Sequence, residues 1–198
     1  MSKLNYEIIT KLVEKNSHII DLGCGDGALF KKLIDEKNVT GVGVELKQDM
    51  VIEAISKELS VIQADLDEGL EQFPDQSFDI AILNQTLQST EKPDYVVDEM
   101  LRVGKKAIVS FPNFAYWRVR FYLMFRGKMP ISEALPYEWY NTPNIHLMTI
   151  KDFYNFCKKR NIKIQKSIFL THGRENKSFW TRAISGLFSE EAIFIISR

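Results

Sequence analysis

Seven residues constrain this chain more than any others: Asp21-Leu22-Gly23-Cys24-Gly25-Asp26-Gly27, set between an apolar run, His18 to Leu22, and an amphipathic one, Ala28 to Glu36. The first reads as a buried strand, the second as a helix with Leu29, Leu33 and Ile34 on one face. A strand that reverses into a helix needs backbone dihedrals closed to residues with a Cβ, and glycine also lets the chain approach a ligand closely. The turn therefore predicts a parallel α/β sheet with a ligand floor at the end of its first strand.

The alternation continues along the chain. Val42 to Leu46 reads as a second strand, Gln48 to Glu58 as a helix, Val61 to Ala64 as a third strand ending at Asp65, and Phe78 to Leu83 as a fourth. Pro93 to Arg102 follows as a helix with proline at its start, and Lys106 to Phe111 as a fifth strand. Pro112 to Pro143 then carries four prolines among many aromatic residues and reads as an insertion over the sheet's working edge. Thr149 to Lys159 resumes helix, with Thr149 as N-cap and Asp152 at the capping-box position. Lys163 to Leu170 and Ala192 to Ser197 are two late strands, separated by a polar stretch containing Gly173 and Gly186, and are expected to close as an antiparallel hairpin. The expectation is one domain over residues 1–198: an α/β, doubly wound, mostly parallel seven-stranded sheet with helices on both faces and an aromatic-rich insertion at 112–146.

Composition removes several classes of function. Lys plus Arg and Asp plus Glu each number 26, so no net field draws a phosphate backbone, and nucleic acid is not an expected partner. The two cysteines, Cys24 and Cys157, form no disulfide framework and lack partners at metal-ligand spacing, so no metal is expected. Met1 to Lys15 has no apolar export segment, and no run approaches the ~20 apolar residues that span a bilayer. A cytoplasmic protein without stable membrane association is expected.

Four strand ends converge on the glycine turn. Glu45 lies 24 residues after Asp21, in range of the carboxylate that accepts from ribose hydroxyls in nucleotide folds. Asp65 stands where an adenine amino group donates, and Asn84-Gln85 ends the fourth strand. The candidate pocket is Asp21, Gly23, Cys24, Gly25, Glu45, Leu46, Asp65, Leu66, Asn84 and Gln85. Gly23-x-Gly25-x-x-Ala28 also satisfies the loose dinucleotide pattern, so NAD and S-adenosylmethionine compete. Asp21 would face a pyrophosphate unfavourably but suits a cationic sulfonium and amino group, and the third glycine gives GxGxG; both favour S-adenosylmethionine or S-adenosylhomocysteine.

The turn, with Glu45, Asp65 and Phe78-Asp79, resembles the class I S-adenosylmethionine-dependent methyltransferases. Four further segments resemble the methionine-biosynthesis MetW family: Gln63 to Leu70 (QADLDEGL), Asn84 to Gln88 (NQTLQ), Ser110 to Phe114 (SFPNF) and Leu135 to His146 (LPYEWYNTPNIH). Together they span roughly residues 17–170. The resemblance implies a methyltransferase-like fold and association with homoserine O-acyltransferase. By position it makes Asp21, Gly23, Gly25, Glu45 and Asp65 cofactor-pocket residues, and it supplies no catalytic residue. A subunit that holds S-adenosylmethionine and regulates the acyltransferase is the expected function; an active small-molecule methyltransferase is the alternative.

Other residues carry weaker signals. Cys24 resembles a nucleophile, but no base is identifiable beside it, and a small buried residue is the expected role. His146 and Tyr137 are the candidates for orienting or deprotonating an acceptor if the insertion folds over the pocket; a structural histidine is the commoner case. Trp117 to Lys128 mixes apolar bulk with four basic residues, readable as a packed helix, a membrane-surface segment or a partner interface, with single-stranded RNA a thinner option. Core packing plus partner interface is the preferred reading.

Overall fold

Strand sequences such as FDIAILN, apolar at nearly every position, bury both faces of a sheet, and that requires helices on both sides. The computed structural model describes residues 3–132, 134–176 and 185–198. In chain order the elements are α1 (Lys3–Leu12), β1 (His18–Leu22), α2 (Ala28–Lys37), β2 (Thr40–Glu45), α3 (Gln48–Ser56), β3 (Val61–Gln63), β4 (Phe78–Asn84), α4 (Pro93–Val103) and β5 (Gly104–Pro112). They continue with α5 (Trp117–Arg126), α6 (Ile150–Lys159), β6 (Lys163–Thr171), β7 (Arg174–Glu175), α7 (Ser185–Phe188) and β8 (Glu191–Ser197).

The sheet order is β3-β2-β1-β4-β5-β8-β6-β7. Pairings from β3 through β5 are parallel, and β8 slots antiparallel between β5 and β6. Strand alternation divides the core. Ile19, Ile80, Ile82 and Ile108 face a cluster with Ile9 of α1 and Leu29, Phe30 and Leu33 of α2. Ile20, Leu22, Leu83 and Phe111 face another, with Val96 and Met100 of α4 and Phe153 of α6. Phe111, Phe153 and Phe194 lock this second face, with ring centroids 4.7 to 5.7 Å apart.

Two expectations change. The described residues form eight strands where seven were expected: His172 and Gly173, both at positive φ, turn the chain so that Arg174–Glu175 pairs back onto Thr171 and Leu170. The two late strands do pair antiparallel, but β7 and α7 lie between them in sequence, and residues 177–184 of the expected polar stretch lie outside the described residues. Helix α1 was not expected; it buries Asn5, Ile9 and Val13, spaced four apart along one helical face and its C-terminal end. The expected cap of α6 is present as a full capping box between Thr149 and Asp152.

Candidate functional site

Between β1 and β4 the chain has left in opposite directions, to β2 on one side and β5 on the other, which opens a crevice at the strands' C-terminal ends. The glycine turn floors it. The amides of Gly23 and Cys24 both donate to Val44 O, at 2.8 and 3.1 Å, so backbone hydrogen bonds tie the turn to β2. Gly23 sits at φ +67°, where a Cβ would fall 2.5 Å from the Thr86 side chain. Gly25, at φ +56°, has no heavy atom within 4 Å of the place a Cβ would take, leaving its backbone open to a ligand.

The crevice is a cleft of about 620 Å³, the size of ordinary small-molecule sites. All ten residues expected from the sequence line it: Asp21, Gly23, Cys24 and Gly25 from β1 and its turn, Glu45 with Leu46, Asp65 with Leu66, and Asn84 with Gln85. Tyr6 of α1, Met50 of α3 and Thr86 also contribute, and the sequence reading missed them. An apolar-polar helical face around Tyr6 is the signal that would have found the first.

Asp21 is 1% exposed, and its Oδ2 has no hydrogen-bond partner among the described residues. Burial, reinforced by the nearby Glu45 carboxylate, pushes its pKa up to about 7. It does not cap α2, whose N-cap is Gly27; Ala28 N donates instead to Asp26 Oδ1 at 3.2 Å. Glu45 braces the turn: Oε2 accepts from Gly25 N at 2.9 Å and Oε1 from Lys47 N at 3.0 Å. Asp65 Oδ1 accepts from Asp67 N at 2.9 Å, capping a short 3-10 turn at Leu66–Glu68. Burial drives the Cys24 thiol far above its usual range, with Asp21 and Glu45 adding to the effect, so it does not supply a thiolate.

Gln85 adopts φ +57°, an uncommon conformation for a side-chain-bearing residue. Its amide donates to Ser110 O at 3.0 Å and Ser110 Oγ at 3.1 Å, while Ser110 Oγ donates to Asn84 Oδ1 at 2.5 Å. The insertion reaches this edge. Tyr137 and Pro143 line the cleft, and the amides of Ile145 and His146 both donate to Gln88 O, at 2.8 and 3.0 Å. His146 itself lines no cavity among those described; its Nε2 is enclosed without a partner among the described residues.

The sequence model of the family described as "Methionine biosynthesis protein MetW" matches residues 3–196. The chain belongs to the MetW family. The bifunctional methionine biosynthesis protein MetXA/MetW of Rhodopirellula baltica is 36% identical over 172 residues, which is 82% of this chain but 28% of that protein. Solved structures resemble this chain in fold. An S-adenosylmethionine-dependent methyltransferase from Mesorhizobium loti superposes with TM-score 0.71 at 16% identity, covering 100% of this chain and 99% of that one. One from Archaeoglobus fulgidus gives 0.67 at 15%, covering 98% and 94%. The [4+2]-cyclase SpnF gives 0.68 at 15%, covering 98% and 80%, so the fold alone does not fix methyl transfer. This chain thus has the class I methyltransferase fold and belongs to a family described by its part in methionine biosynthesis. Among the described residues no helix is long and apolar enough to cross a membrane, and no cluster of His, Cys, Asp and Glu is arranged to hold a metal ion.

Proposed function

We propose that this chain is an S-adenosylmethionine-binding subunit that supports or regulates homoserine O-acyltransferase. The observation that carries the cofactor half is the buried Asp21 carboxyl, with an oxygen left unpartnered at the floor of the cleft. A buried acceptor of that kind calls for a donor or a cation. The charges around it agree: Asp21, Asp26, Glu45, Glu53, Asp65 and Asp67 line the cleft against Lys47, a setting that opposes a dinucleotide pyrophosphate.

S-adenosylmethionine, when bound, supplies an electrophilic methyl group on a sulfonium cation. This chain's own part is to hold it. Gly25 gives room at the backbone, Asp21 offers its charge to the cationic end, Glu45 retains acceptor capacity beyond the Gly25 and Lys47 amides, and Asp65, two residues past β3, stands for an amino donor.

Support for the partner half comes from the Rhodopirellula relative, whose name joins MetXA and MetW in one protein. The insertion supplies a surface for such a partner: Phe121, Tyr122, Leu123, Met124 and Phe125 of α5 are all exposed, as are Trp139 and Tyr140. Because S-adenosylmethionine lies downstream of the acyltransferase step, the cleft would report end-product level to that enzyme. The test is the acyltransferase rate, and its affinity for this chain, across S-adenosylmethionine concentrations. A ligand-dependent change in either is expected; invariance of both overturns the regulatory reading.

A small-molecule methyltransferase is the second reading, and one observation favours it: a compartment of about 130 Å³ adjoins the cleft and shares Asn84, Gln85 and Tyr137 with it. Methyl transfer needs mainly in-line positioning, which such a chamber provides. A labelled-methyl screen that finds no transfer to any methionine-pathway metabolite removes this reading.

A further inference from the structure

We infer that residues 136–144 of the insertion form a lid that closes when a ligand fills the cleft, with Tyr137 as its point of contact and Trp139 and Tyr140 carried along. The inference rests on the S-adenosylmethionine-binding reading and adds to it the moving part by which occupancy reaches a partner surface.

The two ends of the segment are fixed. Leu135 is buried with Tyr116 and Val119 in the insertion's own core, and its backbone exchanges hydrogen bonds with that of Ser132 at 3.0 and 3.1 Å. Past the other end, the Ile145 and His146 amides donate to Gln88 O, and Gln88 Nε2 donates in turn to the oxygen of Gln85, a cleft residue, at 2.8 Å. The middle is held differently. Among the described residues the backbone of 136–144 is hydrogen-bonded only within itself, Asn141 N to Glu138 O at 3.2 Å and Asn144 N to Thr142 Oγ1 at 3.1 Å. No side chain of the segment is hydrogen-bonded outside it among those residues, and none belongs to a core cluster. A stretch tethered at both ends and unbonded between them moves at little cost.

Tyr137 is where this stretch meets the ligand. It lines the cleft yet stays 48% exposed, a large ring in a wall otherwise rich in carboxylates. A ligand in the cleft covers that ring, so the closed form gains an apolar contact that the empty cleft does not offer. That is the differential interaction a ligand-driven closure requires. Trp139 and Tyr140 pack edge to face with ring centroids 5.7 Å apart, are mostly exposed, and line neither the cleft nor the adjoining compartment. They follow Tyr137 by two and three residues and so move with it. Because they belong to the surface proposed for the acyltransferase, closure redraws that surface without any contact between ligand and partner.

Chymotrypsin reads the segment directly, since exposed aromatic residues on unbonded backbone are its ready sites. The full chain is digested with and without saturating S-adenosylhomocysteine, and calorimetry on the same sample establishes occupancy. Binding is expected to slow cleavage after Trp139 and Tyr140 at least tenfold, while cleavage in α5 after Phe121 and Phe125, exposed residues that line neither cavity, changes less than twofold. Tyr137→Ala is expected to bind S-adenosylhomocysteine at least threefold more weakly and, at saturation, to lose the protection; Tyr137→Phe should restore both. Binding with unchanged cleavage after Trp139 and Tyr140 overturns the lid and leaves the cofactor reading standing. Protection at Tyr137 alone has the same meaning, because a ligand shields a fixed wall equally well. Equal slowing in α5, which reports global stabilisation, also overturns it, as does wild-type protection in Tyr137→Ala. Absence of saturable S-adenosylhomocysteine binding is a different result: it removes the cofactor reading and this inference together.

Discussion

The glycine turn and the aromatic insertion border the same cleft and are held by opposite means. The turn is fixed by backbone hydrogen bonds to β2, by the Glu45 carboxylate on the Gly25 amide, and by the close approach of Gly23 to Thr86. The insertion rests on a small core of its own, Tyr116, Val119 and Leu135, separate from the two large clusters that pack the sheet. Its helix α5 buries one residue, Val119, and leaves five consecutive large apolar ones exposed. The two regions therefore differ in kind: one wall is braced by hydrogen bonds across the turn, and the other leaves a run of large apolar side chains uncovered.

The sharpest contrast should appear in stability. Phe194→Ala opens the packed trio with Phe111 and Phe153 and should destabilise the fold by about 3–5 kcal/mol in denaturant unfolding. Phe125→Ser, at a residue 72% exposed, should leave unfolding within about 0.5 kcal/mol of wild type. The same Phe125→Ser should weaken the complex with the acyltransferase by more than about 1 kcal/mol, read by calorimetry. Comparable destabilisation by both variants would erase the distinction between the two regions.

The second prediction concerns charge at the floor of the cleft. Unfolded Asp21 releases its proton near pH 4, whereas the folded protein holds it to about pH 7. The native state therefore binds the extra proton between those values, and Asp21 makes unfolding progressively easier as pH rises through that window. In Asp21→Asn this slope should vanish from the pH profile of unfolding free energy. A cationic ligand needs the carboxylate form, so S-adenosylmethionine affinity should rise with pH through about 7 and proton release should accompany binding near that pH. Identical binding enthalpies in buffers of different ionisation heat would contradict this.

Gly25→Ala gives the finest test. The position has space but a left-handed backbone, so the substitution should destabilise by about 1–2 kcal/mol while its methyl projects into room the ligand requires. Ligand affinity is expected to fall further than stability alone accounts for.

The rigid wall was legible in sequence because its signals are local. Alternating glycines after HIIDL, an acidic residue ending each of the next two strands and the Asn84-Gln85 pair lie at spacings that a parallel sheet dictates, and all ten residues reached one cleft. Helix α1 escaped because its inward face is partly polar, with Asn5 and Tyr6 beside Ile9, so the apolar period is broken where the helix meets the site. Strand β7 escaped because two residues carry no period at all. The small compartment had no local signal: Asn5 and Glu191 are 186 positions apart and meet only when β8 enters beside β5. The sequence leaves His146 open between a base over the pocket and a structural histidine, the commoner case; the fold bonds its backbone amide to Gln88 O and so fastens the insertion.

The most direct test of the central claim is a calorimetric titration of the purified chain with S-adenosylmethionine and with S-adenosylhomocysteine, repeated on Asp21→Asn. Saturable binding at one site is predicted for both ligands, with S-adenosylmethionine weakened more than S-adenosylhomocysteine by the substitution, since only the former carries the sulfonium charge. Absence of saturable binding by either ligand would contradict the account and leave the methyltransferase fold as a scaffold for the partner surface alone.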